Sequence, residues 1–293
     1  MDLTRHTFRA MGTTTTLLAP PCDVRAFERA RHLVETVFER EEERFSRFRD
    51  TSELAHVNRA GGGWVEVTPR FEELVRLALA SAARTDGLFD PTVWEAMIAV
   101  GYDRDFDEVL AGARAALHPA PACGRWREVE LRRGWVKLPP DVGLDLGGIA
   151  KGYTVDLAAE AAVGAGLSWA IVSAGGDLRI LGDAPSIDVG IEEPLDPSSS
   201  ATRVTVREGA LATSSVTARA WGEGLHHVID PRTGGPSDGA AIQATVWAPT
   251  CAEAEVLATW ALLTGPEAAT TLPCAIATAD GDLVMSFPPE VAA

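Results

Sequence analysis

Residues 6–19 alternate apolar and polar positions through a run of threonines, which predicts a strand. From Asp23 the period changes. Phe27, Ala30, Val34, Val37, Glu41 and Phe45 recur at spacings of three and four, which predicts a helix with an acidic outer face. Thr68-Pro69 followed by Glu72 is an N-cap with proline at the first helical position. That helix carries Leu74, Val75 and Ala78 and stops near Gly87. Residues 126–138 read as a hairpin around Arg133-Gly134, and 144–146 as a short strand running through glycines into a helix over 153–163. Residues 170–172 read as a buried strand ending at Gly175-Gly176. Strands over 187–191, 202–207, 226–229 and 241–248 follow, then a helix over 252–263 and a last hairpin turning at Asp280-Gly281. The stretches 118–124 and 192–201 read as loops, and neither resembles a long interdomain linker. Helices interspersed with mostly antiparallel strands give an α+β class.

Composition narrows the function. The chain has 293 residues, with 26 Lys+Arg against 42 Asp+Glu and a net charge of −16. Such a balance argues against nucleic-acid binding and against docking on an anionic membrane by charge. A hydrophobic share of 46% with 23% charged residues excludes a mostly disordered chain. No run of about 18 apolar residues predicts a membrane span. The N-terminus shows no apolar leader and no lipobox cysteine, so the expected location is cytoplasmic. Cys22, Cys123, Cys251 and Cys274 form no CxxC pair and read as packing residues of a reducing compartment.

Five segments carry candidate chemistry. In 145–152 (DLGGIAKG) the glycines leave backbone N–H groups free for an anion, and Lys151 offers a point charge for a phosphate. The loop lacks the Ser or Thr and the first glycine of a Walker A motif, and taken alone a glycine-rich turn with a surface lysine is the better reading. In 173–177 (SAGGD) the double glycine suits close approach to a flat ring, or a tight turn capped by Asp177. In 225–234 (LHHVIDPRTG) strand alternation puts His227 with Ile229 on one face and His226 with Val228 on the other, so one histidine could act as a base. Too few ligands cluster there for zinc. Glu255 and Thr259 share a helix face and offer hard oxygens suited to Mg²⁺; most such pairs are solvated helix surface, a reading strained here because Thr259 lies in the apolar run 256–263. The segment 10–13 (AMGT) adds a glycine at the end of the first strand.

Taken in order, these segments resemble the ApbE family, the FAD:protein FMN transferases. The matching stretches are AMGT at 10–13, FSRFRDTSELAHVN at 45–58, DGLFDPTV at 86–93, LDLGGIAKGY at 144–153 followed by Asp156, SAGGDL at 173–178, LATS at 211–214, HHVIDPRTG at 226–234 and AEVLATW at 254–260. The resemblance implies one ApbE-like domain over 1–293, with room for two intimately packed lobes around a single flavin site. It implies that Met11, Phe48, Leu88, Phe89, Asp90 and Ile229 line the FAD site, and that Asp145 and Lys151 hold its adenosine-phosphate side. It implies Mg²⁺ on the Gly148 carbonyl, Glu255 and Thr259, with His227 as the base.

The implied reaction is attack by a Thr or Ser hydroxyl of an acceptor flavoprotein on the FMN phosphorus of FAD, releasing AMP. A metal, a base and a cation are what that chemistry asks for. Two departures stand out. The family's metal helix usually has Asp where this chain has Glu255, and its TSG-Asp-aromatic segment reads TSSVT at 213–217. They keep two alternatives in view: hydrolysis of FAD to FMN and AMP, and flavin binding without catalysis.

Overall fold

The computed structural model describes residues 2–112, 123–288 and 291. The chain divides into two compact units, one formed by 1–40, 151–218 and 239–293, the other by 41–150 and 219–238.

The first unit is built on an eight-stranded sheet, antiparallel at every pairing. Its strands in spatial order are Thr4–Ala10, Thr13–Ala19, Trp169–Ala174, Asp177–Gly182, Gly209–Ser215, Ala241–Ala248, Cys274–Thr278 and Leu283–Met285. The segment 6–19 is therefore two strands rather than one. Met11 (φ 50°) and Gly12 (φ 67°) both sit in the left-handed region and close a two-residue hairpin in which Ala10 faces Thr13. Gly175-Gly176 makes the second such turn, between strands 169–174 and 177–182. The sheet has a covered face on each side. Helix Cys251–Thr264 packs against strands 177–182, 209–215 and 241–248. Opposite, Trp169, Ile171, Ile180 and Leu211 pack with Ile191, Val204 and Val206. Those last three come from the hairpin Ile187–Glu193 and Asp196–Val206, so most of the predicted loop 192–201 is strand.

The second unit holds short helices and small strands. Ser52 caps helix Glu53–Asn58 by accepting from the Ala55 N–H (2.9 Å). Thr68 caps helix Pro69–Arg84, as the Thr-Pro signal predicts. The expected hairpin turns at 133–134, but only 130–132 and 135–137 pair; 125–128 is a 3-10 turn. Residues 144–146 form no strand. Leu144 and Leu146 are buried, while the Leu144 backbone exchanges hydrogen bonds with the Asn58 side chain and the Asp145 N–H donates to the Pro91 carbonyl. The predicted strand 226–229 is likewise broken into two short pairs, 220–222 with 225–226 and 229–230 with 235–236. Of the expected loop 118–124, residues 118–122 lie outside the described residues.

Helix Val24–Phe45 buries Phe27, Ala30, Val34, Glu41 and Phe45 of the predicted positions, whereas Val37 is half-buried and Phe38 is buried beside it. Cys251 and Cys274 are packing residues, whereas Cys22 is exposed and Cys123 half-buried. Among the described residues, no helix is long and apolar enough to cross a membrane.

Candidate functional site

In the first unit, two helices approach backbone to backbone. A Cβ on Gly152 would stand 2.5 Å from the Cys251 carbonyl oxygen, so only glycine lets helix Ala150–Gly164 come this close to helix Cys251–Thr264. The approach lets the Gly152 N–H donate to Glu255 Oε2 (2.8 Å), while Lys151 Nζ donates to Glu255 Oε1 (2.8 Å). The same ammonium also donates to Asp177 Oδ2. Asp177 opens strand 177–182 straight after the double glycine and is 1% exposed. Its other oxygen, Oδ1, is buried with no hydrogen-bond partner.

The charges explain the titration of the group. Burial works to lower the Lys151 pKa, but Asp177 and Glu255 outweigh it and hold the ammonium above the ordinary lysine range. Burial, reinforced by the nearby Glu255, pushes the Asp177 carboxyl up to about 8 against the pull of Lys151. Two carboxylates share one lysine in a poorly solvated place.

Thr259 lies one turn beyond Glu255. Its hydroxyl donates to the Glu255 carbonyl (3.3 Å) and shares a hydrogen bond with Ser214 Oγ (3.1 Å). Glu255, Thr259 and Asp177 offer oxygen donors only, which is the chemistry of a hard divalent cation such as Mg²⁺. The buried, unpartnered Asp177 Oδ1 is an acceptor that such an ion would satisfy. The residues fit the ion. Among the described residues, no three His, Cys, Asp or Glu side chains form a metal-holding group by themselves. Substrate and water oxygens would therefore fill much of its shell, as is usual for Mg²⁺.

In the second unit, Arg47 organises the surroundings of two predicted site residues. Its guanidinium stacks on Phe48 (4.5 Å to the ring centroid) and on Tyr102 (4.1 Å). It pairs with Asp145 Oδ2 at 3.2 Å and donates to the Tyr102 carbonyl at 3.1 Å. Phe48 remains 38% exposed. Asp145 Oδ1 accepts from the Gly147 N–H (2.7 Å), which shapes the turn that carries Gly148. Leu88 is half-buried. Phe89 and Asp90 are buried, and the Asp90 carboxylate accepts from Thr92 and from the Gly124 N–H (2.6 Å). Ile229 packs with Met97 and Tyr102.

The two histidines differ sharply. His226 Nδ1 accepts from the Val228 N–H (3.3 Å), so its Nε2 carries the proton and donates to the Ser237 carbonyl (3.0 Å). Burial lowers its pKa, which keeps this neutral tautomer in place. The expected face alternation does not hold, since His226, Val228 and Ile229 are all buried, but His227 is half-buried in the link between the two strand pairs.

Of the predicted residues, the first unit brings together Lys151, Glu255 and Thr259, and places Met11 on the 11–12 turn. Sequence reasoning missed Asp177 and Arg47 as site residues. Both lay within quoted motifs, SAGGD and FSRFRD, but an acidic strand start and one arginine among many carry no signal of a partner.

Comparison with known proteins places these motifs. The family model for the ApbE family matches residues 11–276. The FAD:protein FMN transferase of Escherichia coli K12 is 26% identical over 275 residues, covering 89% of this chain and 78% of that one. The protein of the same name from Treponema pallidum is 31% identical over 256 residues, 79% of this chain and 70% of that one. Among solved structures, the ApbE protein of Thermotoga maritima superposes with a TM-score of 0.87 at 24% identity, covering 97% of both chains. The flavin transferase ApbE of Vibrio cholerae gives 0.80 at 22%, covering 98% of this chain and 99% of that one. At such identities the structural likeness is one of fold. The family match spans residues 11–276, most of the chain, and the chain belongs to the ApbE family.

Proposed function

We propose that the chain transfers FMN from FAD to a Thr or Ser hydroxyl of an acceptor flavoprotein, with Mg²⁺ bound, and releases AMP. As a member of its family the chain is a flavin transferase, an enzyme that acts on FAD and a protein acceptor. The observation that carries the reading is the extent of the match: relatives named FAD:protein FMN transferase align over most of the chain.

The residues have distinct tasks in this reading. Glu255, Thr259 and the Gly148 carbonyl would hold the ion, which supplies charge neutralisation at the pyrophosphate. Met11, Phe48, Leu88, Phe89, Asp90 and Ile229 would position FAD, with the exposed Phe48 ring offering a stacking face. Asp145 and Lys151 would serve the adenosine-phosphate side. His227 takes the proton as the acceptor oxygen bonds to the FMN phosphorus and the P–O bond to AMP breaks. His226 is unsuited to that task because its acceptor nitrogen is already occupied by the Val228 N–H.

The test is incubation with FAD, Mg²⁺ and a candidate acceptor, read by mass spectrometry. Covalent FMN on the acceptor is expected. Free FMN with AMP and no adduct would identify a pyrophosphatase, and unchanged FAD a binding protein.

A further inference from the structure

We infer that Lys151 is a built-in stand-in cation, and that a divalent ion must displace its ammonium to reach Glu255. This rests on the reading of Glu255 as a metal ligand and goes beyond it by naming what the ion competes with.

The geometry sets up the competition. Both Glu255 oxygens are already engaged, Oε1 by Lys151 Nζ at 2.8 Å and Oε2 by the Gly152 N–H at 2.8 Å. The Gly152 contact is fixed by backbone packing of the two helices and cannot swing away. The Lys151 contact is made by a flexible four-carbon stem whose side chain is 17% exposed, so the ammonium has somewhere to go. Both carboxylates reach the same ammonium in a poorly solvated place, and Asp177 Oδ1 has no hydrogen-bond partner. A divalent cation in place of the ammonium would draw on both carboxylates, with Asp177 Oδ1 as one of its ligands. The displaced ammonium is then free for a phosphate oxygen, so the two roles of Lys151 become successive states of one side chain. Asp177 holds the lysine until the ion arrives and then offers Oδ1 to the ion.

The experiment measures Mn²⁺ binding to flavin-free protein by the loss of the free-ion electron paramagnetic signal. Lys151→Met removes the ammonium and keeps the length of its four-atom stem. It is expected to bind Mn²⁺ at least about ten-fold more tightly than the wild type. Glu255→Gln introduced into the Lys151→Met protein should abolish that gain, and Asp177→Asn should weaken binding in both backgrounds. Equal or weaker Mn²⁺ binding by Lys151→Met, with binding still lost on Glu255→Gln, would overturn the competition and leave the ligand reading standing. Binding indifferent to Glu255→Gln in both backgrounds would remove both. Lys151→Met leaves two carboxylates without a counter-ion, so its folding itself becomes a readout. Mn²⁺ should raise its Tm more than it raises that of the wild type, and a variant that Mn²⁺ cannot rescue would overturn the inference.

Discussion

The Asp156 carboxylate sits on the first turn of the helix that begins at Cys251. Its Oδ1 accepts from the Cys251 N–H at 2.8 Å and its Oδ2 from the Ala252 N–H at 2.9 Å. Thr250 caps the same helix in the usual way, through the Glu253 N–H. The helix start is thus tied to helix Ala150–Gly164 by a side chain as well as by packing, and Glu255 lies one turn further on. Asp156→Ala is expected to cost about 1–2 kcal/mol, the range of a lost N-terminal cap, with Asp156→Asn losing less. Urea unfolding of the three proteins checks this. Unchanged stability in Asp156→Ala would mean that water caps the turn equally well.

Gly152→Ala should separate the two helices. The added methyl would fall 2.5 Å from one backbone atom and 2.7 Å from the next, and neither can rotate away. A cost of about 1–3 kcal/mol is expected from overpacking. Loss of the Gly152 N–H bond to Glu255 should also reduce transfer activity. Thermal unfolding and the FMN-transfer assay read the two effects separately. Full activity would show that Glu255 needs no such support.

Arg47→Lys should behave as a damaging change. Lysine keeps the charge but loses the planar group packed against the Phe48 and Tyr102 rings. Arg47→Ala should be worse, at about 3–5 kcal/mol, because it leaves the buried Asp145 carboxylate without its partner. Denaturant midpoints rank the variants. If lysine restores wild-type stability, the stacking contributes little.

His227→Ala should lose roughly 10²-fold or more in transfer rate, as expected for a general base, and should keep FAD binding. His226→Ala should instead lower stability, because it orphans the Ser237 carbonyl and the Val228 N–H. Rates from mass spectrometry and affinities from isothermal titration separate the two. A greater kinetic loss in His226→Ala would reverse the assignment.

His226 also sets a pH dependence. Its native pKa lies below the unfolded value of about 6.5. Between those two values the unfolded chain binds a proton that the native state refuses. Stability should therefore rise with pH across that window and level off above about pH 6.5. His226→Gln should flatten the acid slope of a Tm profile, and an unchanged slope would assign it to other groups.

Much of the fold was legible locally, because caps, periods and turns are properties of neighbours in the chain. Thr68-Pro69 starts a helix through its own hydroxyl and fixed φ, and Asp280-Gly281 turns a hairpin because glycine reaches φ 89° freely. The ordered motifs likewise determined the family, and they put Lys151, Glu255 and His227 among the site candidates. Where the sequence misled, the deciding partner was remote. Leu144 and Leu146 look like a strand, but Asn58 takes the Leu144 backbone hydrogen bonds that a strand partner would have taken. The Thr run at 13–16 conceals a turn because Met11, an unusual residue for positive φ, is held there by the pairing of the flanking strands. Strand 209–215 is built of small residues whose pattern means nothing until two sheet neighbours and a helix cover it. Only the tertiary structure set Asp177 and Glu255, 26 and 104 residues from Lys151, on the same ammonium. Sequence fixes which charges a chain carries. The balance of burial and opposite charge that decides what they hold exists only once the helices have met at Gly152.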